Sequence, residues 1–461
     1  MIKPPKIVVV GAGSLFFGRK AIWSMCQQDG LKGGTLALVD TDPEHLATMR
    51  AIAERAIAAT GCDTRLETSE DVRELLPGAD FVILSFSNRN AHYRRFDAQI
   101  SEKYGIYLCS ADTIGPGGIF RAMRELPVIL KTAEAVRELA PQAWLINYIN
   151  PTSVNGIALM RHFPDLKSFA LCDTLHMPYV KHHFMRRAGV PDAEAADFDL
   201  RIAGVNHFTF ALKMEHRGRD MSDALRAHMR ELAADEKDAG YSKKRFNNTY
   251  SLQLWDIFGA CPACIGHTKE YLPYYQHRDH GPVKERRLTV FDCDEREERT
   301  ATFWEENRAW ASGQADIAEF LEKTQADHAT NIINAMVTDS GRSYYINTAN
   351  QGAVGNLPDD SFLEVLCEVS MDAVRPQPTG TLPLGLRSLQ LNVLDTHELT
   401  VEAIVRQDSA LLRRAFLTDP LVESIPDTDA MIAELLEAQR AAIEPHLPGF
   451  YVSQPQPVTG A

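Results

Sequence analysis

The sequence lacks an apolar run long enough to cross a bilayer and has no excess of basic residues. A spanning helix needs about 18 consecutive apolar residues, and no run in the 461 residues reaches that length. The start, "MIKPPKIVVVGAG", leads directly into a strand pattern without the layout of a signal peptide. We therefore expect a cytoplasmic protein without a membrane partner.

Basic residues are fewer than acidic ones, 48 Lys and Arg against 62 Asp and Glu, which gives a formal net charge of −14. Proteins that wrap nucleic acid or dock on anionic lipid need a basic face. The composition therefore argues against nucleic-acid and membrane partners and favours a small-molecule substrate.

Cysteines are also few, with eight in the whole chain at irregular spacing, so a disulfide framework is not expected. Cys261 and Cys264 in "ACPAC" have the spacing of a redox site or a zinc knuckle. A zinc knuckle needs four converging ligands, and no second pair matches this one. The spacing therefore favours a structural role for the pair.

Composition and length indicate a soluble globular protein with more than one core, since 45% of the residues are hydrophobic and 24% are charged. We predict an NAD-binding domain over 1–170. The remainder, 171–461, is predicted to be an α+β domain for catalysis, substrate binding and oligomerisation.

The amino-terminal pattern is that of a strand, a glycine turn and a helix: "KIVVV", "GAGSLFFG" and "RKAIWSMCQQ". A second run, "TLALVD", ends at Asp40, about 27 residues after Gly13, where dinucleotide-binding folds place an acid on the ribose hydroxyls. This acid favours NAD over NADP. The usual third glycine is replaced by Phe16 and the next glycine is Gly18, so a tight turn without a nucleotide is the alternative.

Further strand patterns, "ADFVILSF" as the third run and "AWLINYIN" as the fourth, alternate with helical segments. Such alternation predicts an α/β fold, a Rossmann-like doubly wound parallel sheet of the lactate and malate dehydrogenase kind. After about residue 165 the pattern becomes mixed α+β. Helices are predicted at 222–236, 245–258 and 314–336, with two more over much of 385–446.

Four polar clusters each follow an apolar run: 87–89, Asn150-Pro151, Cys172-Asp173 and Asn206-His207. Ligands of open α/β sheets bind beyond the carboxyl ends of the strands. We therefore expect the four clusters to converge on one crevice.

Several longer motifs carry a resemblance to glycoside hydrolase family 4, the NAD- and metal-dependent glycosidases. They extend over nearly the whole chain: "VVVGAGS", "EKYGI", "GPGG" at 115–118, "NYINPTS" at 147–153, "LCD" at 171–173, "GVNHF" at 204–208, "EYLPYY" at 270–275 and "NTANQGAVGNLPDDSFLEV" at 347–365.

The resemblance implies a redox route instead of the usual pair of carboxylates. NAD⁺ oxidises carbon 3 of the sugar, which acidifies the proton on carbon 2. A base removes that proton, the aglycone leaves from carbon 1, water adds, and the reduced cofactor returns the hydride. A divalent metal stabilises the oxygens on carbons 2 and 3.

The resemblance also implies roles for individual residues. Cys172 and His207 match the metal ligands, with Mn²⁺ as the family's ion. The softness of a thiolate and an imidazole, taken alone, suggests zinc or ferrous iron. The alternative is that the two residues bind no metal and are a cysteine and a histidine of the core.

Asp173 matches the acid that protonates the leaving oxygen, and Tyr271 matches the base on carbon 2. Tyr271 could instead be one packed aromatic among three. The remaining implied contacts are Gly11, Gly13, Ser14, Asp40 and Asn150 for the cofactor, and Asn150, Asn206, Asp112 and His267 for the sugar.

The class of sugar is predicted from a position at which this sequence differs from the family's phosphoglycosidases. Members that act on 6-phosphorylated sugars carry an arginine after the third strand, and that position is Ser87 here, with Arg89 two places on. Arg89 could bind another anion, a carboxylate or sulfonate on carbon 6, or pair with Asp97 or Glu102 on the surface. We predict hexuronides or sulfoquinovosides as substrates, with neutral α-glucosides or α-galactosides, or 6-phosphoglycosides, as alternatives.

An NAD-dependent sugar or hydroxy-acid dehydrogenase remains the alternative of another class, and a sugar sensor that retains bound NAD is a third possibility. The predicted metal ligands Cys172 and His207, together with "EYLPYY", favour the glycosidase. The family resemblance implies a homodimer or homotetramer.

Overall fold

The structure, a computed structural model, describes residues 3–14, 17–238, 247–264, 266–276 and 292–452. Strands are numbered in chain order: β1 Lys6–Val10, β2 Thr35–Val39, β3 Arg65–Ser69, β4 Phe81–Leu84, β5 Trp144–Asn147, β6 Lys167–Ala170, β7 Phe198–Val205, β8 Phe208–His216, β9 Arg219–Asp220, β10 Cys261–Pro262, β11 Ser343–Ala349, β12 Phe362–Val369 and β13 Val374–Pro376.

Helices are numbered in the same way: α1 Gly18–Gln27, α2 Pro43–Thr60, α3 Val72–Leu75, α4 Asn90–Lys103, α5 Gly115–Leu139, α6 Thr152–His162, α7 Tyr179–Arg187, α8 Ser222–Asp238, α9 Asn247–Phe258, α10 Pro273–Gln276, α11 Cys293–Ser312, α12 Ile317–Lys323, α13 His328–Val337, α14 Leu384–Arg406, α15 Ser409–Thr418, α16 Ile425–Ala438 and α17 Arg440–Ile443. Short 3₁₀ helices cover Asp192–Asp197, Thr268–Tyr271 and Pro448–Phe450. Of the helices in the described ranges, none is long and apolar enough to cross a membrane.

The amino-terminal strands form a parallel sheet in the order β3-β2-β1-β4-β5-β6, with helices connecting them. This is the doubly wound order of dinucleotide-binding folds, so the predicted fold class is confirmed. The sequence patterns missed β3, "RLETS", because it is an edge strand with polar, partly exposed residues and has no apolar run.

The same sheet continues through antiparallel strands, in the order β6-β11-β12-β7-β8-β10. The predicted domain boundary at 170 coincides with the end of β6, the last strand of the parallel part. The sheet itself passes through this point, and the division into two domains stays a prediction.

The second half is mixed, as expected, but two of its predicted helical regions are divided into shorter helices. The single helix predicted over 314–336 is two helices, α12 and α13. Asp327 causes the break, because its side chain accepts from the Thr330 backbone N–H in a capping box that starts α13. Similarly, 385–446 contains four helices instead of two. The first two residues of the helix predicted over 245–258 lie outside the described residues.

Gly18 supplies the close approach that the third glycine of the nucleotide motif normally provides. A Cβ on Gly18 would lie 1.9 Å from the carbonyl oxygen of Ala12, so only a glycine lets α1 start this close to the loop after β1. The position that the sequence motif left open, Phe16, lies outside the described residues.

We expect Gly18→Ala to lower the free energy of unfolding by about 1–3 kcal/mol, because the added methyl group must displace backbone. The measurement is urea unfolding followed by circular dichroism. Gly355→Ala is the matched control, since its Cβ would meet Thr381 at an ordinary 3.6 Å, and we expect a change within about 0.5 kcal/mol. An unfolding midpoint that is the same in Gly18→Ala as in the parent would contradict the close-packing role.

Candidate active site

A cavity of about 330 Å³ lies beyond the carboxyl ends of the parallel strands. The polar residues lining it include members of all four clusters that the sequence singled out: Ser14, Ser87, Ser110, Asp112, Asn150, Cys172, Asp173, Thr174, His207 and His267. Three of the clusters follow strands of the parallel sheet, whose carboxyl ends share one edge. The fourth, Asn206-His207, follows β7 in the antiparallel part of the sheet.

The glycine loop after β1 is held close to the neighbouring strand ends. Gly11 has φ +89°, and a Cβ there would lie 2.7 Å from the backbone N of Phe86. The Gly13 N–H donates to Oδ2 of Asp40 at 2.7 Å. The acid at the end of β2 therefore also fixes the loop, and the lack of a side chain at Gly11 lets the loop pack against the backbone of Phe86.

Cys172 and His207 face each other although 35 residues separate them. His207 occupies the two-residue turn between β7 and β8 in the left-handed region, with φ +63°. The Sγ of Cys172 is 3.6 Å from each ring nitrogen of His207. Two ligands of one tetrahedral ion, at about 2.3 Å for sulfur and 2.0 Å for nitrogen, are separated by about 3.5 Å. The pair therefore fits a shared metal ion.

The charge states of the pair depend on their burial. Burial raises the pKa of the Cys172 thiol, and Glu364 adds to the shift. Burial opposes a charge on His207, yet its contact with Cys264 and the nearby carboxylates of Glu364 and Glu270 raise its pKa to about 9. In the described part of the chain, no group of three or more His, Cys, Asp and Glu side chains is arranged to hold an ion.

Cys264 is a contact of His207 that the sequence did not predict. Its Sγ is 3.3 Å from Nδ1 of His207, and the hydroxyl of Thr174 is 3.2 Å from the same nitrogen. The pairing of β10 with β8 brings the "ACPAC" segment to this place. Cys261 lies in β10 itself, so the two cysteines of the motif have different surroundings.

Asp112 is the centre of a buried ionic network. Its Oδ2 is 3.2 Å from Nη1 of Arg94 and 2.7 Å from Nη1 of Arg121, and it accepts from the Asn150 amide at 3.1 Å. Burial opposes ionisation of Asp112, but the two guanidinium groups hold its pKa well below the usual range. Asn150, a predicted cofactor and sugar contact, is thus oriented by an ionised carboxylate.

Among the described residues, three arginines line the cavity, namely Arg94 on α4, Arg121 on α5 and Arg296 on α11. Arg89, the predicted anion ligand, is exposed at the start of α4 with φ +44° and does not line the cavity. The surface pairing of Arg89 with Asp97 is wrong, because Asp97 is buried and pairs with Arg124.

The remaining predicted residues have unequal access to the cavity. Asp173 lines it and is exposed. Tyr271 is 1% exposed, its hydroxyl donates to the Asn206 carbonyl at 2.6 Å, and burial raises its pKa well above 10. Asn206 is buried and donates to Glu364. Neither Tyr271 nor Asn206 is among the described residues that line the cavity, and their predicted roles stay predictions.

Comparison with known proteins covers most of the chain. The model of family 4 glycosyl hydrolases matches residues 6–190, and that of the family's C-terminal domain matches residues 202–422. An α-galacturonidase of Bacillus subtilis is 28% identical over 445 residues, which are 94% of this chain and 97% of that one. An α-galactosidase of the same organism is 26% identical over 441 residues, 94% of this chain and 98% of the other.

The fold has counterparts among solved structures. The crystal structure of a 6-phospho-α-glucosidase from gut microorganisms, in complex with NAD and Mn²⁺, superposes with a TM-score of 0.76 at 20% identity and covers 95% of this chain and 99% of that one. The prediction of the family from its motifs is confirmed by the two matched models, which together extend over most of the chain. The chain belongs to family 4 of the glycosyl hydrolases.

Proposed function

We propose that this protein hydrolyses glycosides of sugars with an acidic group on carbon 6, a hexuronide or a sulfoquinovoside, using NAD and a divalent metal. The observation that carries the proposal is a single cavity that joins the thiol and imidazole pair to three arginine side chains beside the glycine loop. The α-galacturonidase similarity and the NAD and Mn²⁺ held by the 6-phospho-α-glucosidase support it.

NAD is proposed to bind across Gly11, Gly13 and Ser14, with Asp40 on the ribose. The glycine loop between β1 and α1, and the hydrogen bond from Gly13 that places Asp40 beside this loop, support the proposal. The nicotinamide supplies hydride acceptance and return. Asn150, fixed by Asp112, orients the sugar beside it.

The metal is proposed to bind to Cys172 and His207. A buried thiol with a raised pKa becomes a thiolate only beside a cation, and the facing imidazole supplies a second donor at a suitable distance. The family points to Mn²⁺, which supplies Lewis-acid stabilisation of sugar oxygens. Asp173, exposed to the cavity, is proposed to give its proton to the leaving oxygen.

The charge of the lining favours an acidic sugar over a phosphorylated one. Arg94 and Arg121 are held by Asp112, and Arg296 adds a third guanidinium to the same lining. Where phosphoglycosidases carry an arginine, the Ser87 hydroxyl donates to the buried carboxylate of Glu125 at 2.8 Å. A phosphate of about −2 charge is disfavoured next to that carboxylate, whereas a singly charged carboxylate or sulfonate suits a planar guanidinium.

Neutral α-galactosides remain the second candidate, because the α-galactosidase similarity is nearly as high. The dehydrogenase alternative would leave the oxidised sugar as the product and would accumulate NADH. A cytoplasmic location and a dimer or tetramer stay predictions.

Aglycone release should require both cofactors in catalytic amounts. We expect turnover of nitrophenyl glycosides only with added NAD⁺ and Mn²⁺, with loss of activity in excess chelator and recovery when Mn²⁺ is returned. Absorbance at the NADH maximum should not rise with turnover, since the hydride goes back to the sugar. Stoichiometric accumulation of NADH without aglycone release would instead identify a dehydrogenase.

Arg296→Ala should change substrate choice. Loss of one partner of a charge-assisted contact costs about 2 kcal/mol, so kcat/KM for a nitrophenyl α-galacturonide should fall about 30-fold. The value for the matching galactoside should stay within about threefold, because that sugar has no charge at carbon 6. The ratio of the two kcat/KM values is the measured quantity.

Arg299→Ala is the matched control, since Arg299 is exposed on the same helix, α11, and does not line the cavity. Arg89→Ala tests the sequence-based prediction that Arg89 binds the anion. We expect the ratio of the galacturonide and galactoside kcat/KM values to equal that of the parent enzyme. A wild-type enzyme that cleaves only neutral glycosides, with an unchanged rate in Arg296→Ala, would exclude the acidic substrate.

A further inference from the structure

A groove of about 900 Å³ lies on the antiparallel part of the sheet. It is lined by the first residues of β7 and β11 and by the start of α7. Among the described residues, none lines both this groove and the cavity of the candidate active site. Leu200 in the groove lies near the start of β7, whereas His207 follows the end of that strand. At about 3.3 Å per residue, the two are about 20 Å apart. The groove is therefore a separate site.

Apolar and aromatic side chains form much of the groove lining. They are Met177, Pro178, Tyr179, Phe198, Leu200, Tyr344, Tyr345 and Leu366. Tyr179 is 56% exposed, and its ring is held edge-on against His176 with 5.1 Å between the ring centroids. Concavities of this size with apolar and aromatic walls and a few polar groups are typical of small-molecule sites.

Two carboxylates also line the groove, and both already have cationic partners. Asp197 is 3.0 Å from Nε of Arg217. Asp199 is 2.7 Å from Nε of Arg201 and 2.9 Å from Nζ of Lys213. The two carboxylates are thus neutralised, but their free lone pairs can still accept hydrogen bonds from hydroxyl groups of a ligand.

Two cations of the groove, Lys181 and Arg342, have no carboxylate partner in the part of the chain that the structure describes. Lys181 lies in the first turn of α7 and is half-buried, whereas Arg342 precedes β11 and is exposed. Burial lowers the pKa of the Lys181 ammonium, and the nearby carboxylate of Asp199 offsets only part of this shift. The groove therefore has positive charge available for an anionic ligand.

A sugar acid suits this combination of groups better than a phosphate does. Its carboxylate can accept a charge-assisted hydrogen bond from Lys181, its hydroxyls can donate to Asp197 and Asp199, and the C–H face of its ring can pack on the apolar lining. A phosphate carries a charge of about −2, and the same two carboxylates would repel it more strongly.

We propose that the groove is a second saccharide site, which binds a hexuronate through Lys181 and Arg342 with its ring beside Tyr179. The inference goes beyond the proposed function, because it concerns binding without reaction at a different place in the fold. The ligand class is identified from the groups of the groove, so the inference and the proposed function can fail separately.

The experiment counts the binding sites by isothermal titration calorimetry of the full chain with NAD⁺ and Mn²⁺ present. D-Galacturonate is the probe, and D-galactose and AMP are the neutral and the phosphorylated comparison probes. Lys181→Gln and Tyr179→Ala alter the groove, and Arg296→Ala alters the cavity. Arg186→Gln is the matched control, since Arg186 is exposed on the same helix, α7, and does not line the groove.

We expect two D-galacturonate sites per chain in the parent. Lys181→Gln should weaken one of them about tenfold or more through loss of the charge-assisted contact, and Tyr179→Ala should weaken the same site about fivefold. Arg296→Ala should weaken the other site, and Arg186→Gln should bind as the parent does. D-Galactose and AMP should bind the groove at least about tenfold more weakly than D-galacturonate. Circular dichroism establishes that each variant is folded.

A single site that is weakened in Arg296→Ala and unchanged in Lys181→Gln would overturn the inference and leave the proposed function intact. Tighter binding of AMP than of D-galacturonate at the site sensitive to Lys181→Gln would assign the groove to a phosphate, and it would also overturn the inference. A single site that is weakened only in Lys181→Gln would support the groove and count against an acidic sugar at the cavity. A parent that binds no D-galacturonate would overturn both.

Discussion

The buried carboxylate of Asp112 is the group around which the cavity is organised. An ionised carboxylate away from water is stable only when charged and polar partners surround it. Arg94 from α4, Arg121 from α5 and Asn150 from the end of β5 provide them. Because all three side chains reach the same carboxylate oxygen, Oδ2, the contacts constrain the spacing of these elements around the cavity.

The consequences of this network extend to both sides of the site. Arg94 donates to the Ser110 carbonyl, and the Ser110 hydroxyl donates to Glu270. Glu270 in turn contacts His267. Through Asn150 it reaches the place proposed for the sugar and nicotinamide. One electrostatic requirement therefore orients groups from the parallel and from the antiparallel part of the sheet, and it keeps the guanidinium groups of Arg94 and Arg121 in the cavity lining.

The contact between Cys172 and His207 depends on a different constraint, the extension of the parallel sheet by antiparallel strands. Two strands, β11 and β12, lie between β6 and β7 in the sheet. Cys172 follows β6 and His207 follows β7, so their contact joins the parallel part of the sheet to the antiparallel part. The left-handed turn at His207 and the contact with Cys264 hold the imidazole there.

Local patterns in the sequence determined the parallel sheet, the glycine loop, the acid at Asp40 and the polar groups at the strand ends. Each depends on neighbouring residues, since apolar period, glycine placement and strand termini are local properties. The edge strand β3 was missed because its polar residues form no apolar pattern. The break between α12 and α13 was missed because a capping residue does not interrupt the apolar period of the helices on either side of it. Tertiary structure alone decided that Arg296 and not Arg89 lines the cavity, that Cys264 contacts His207, and that Glu270 and Ser110 hold His267. The contact between Cys264 and His207 joins residues 57 positions apart, and that between Ser110 and Glu270 joins residues 160 positions apart. Such contacts arise from packing and from the need to pair buried charge, which no short pattern encodes.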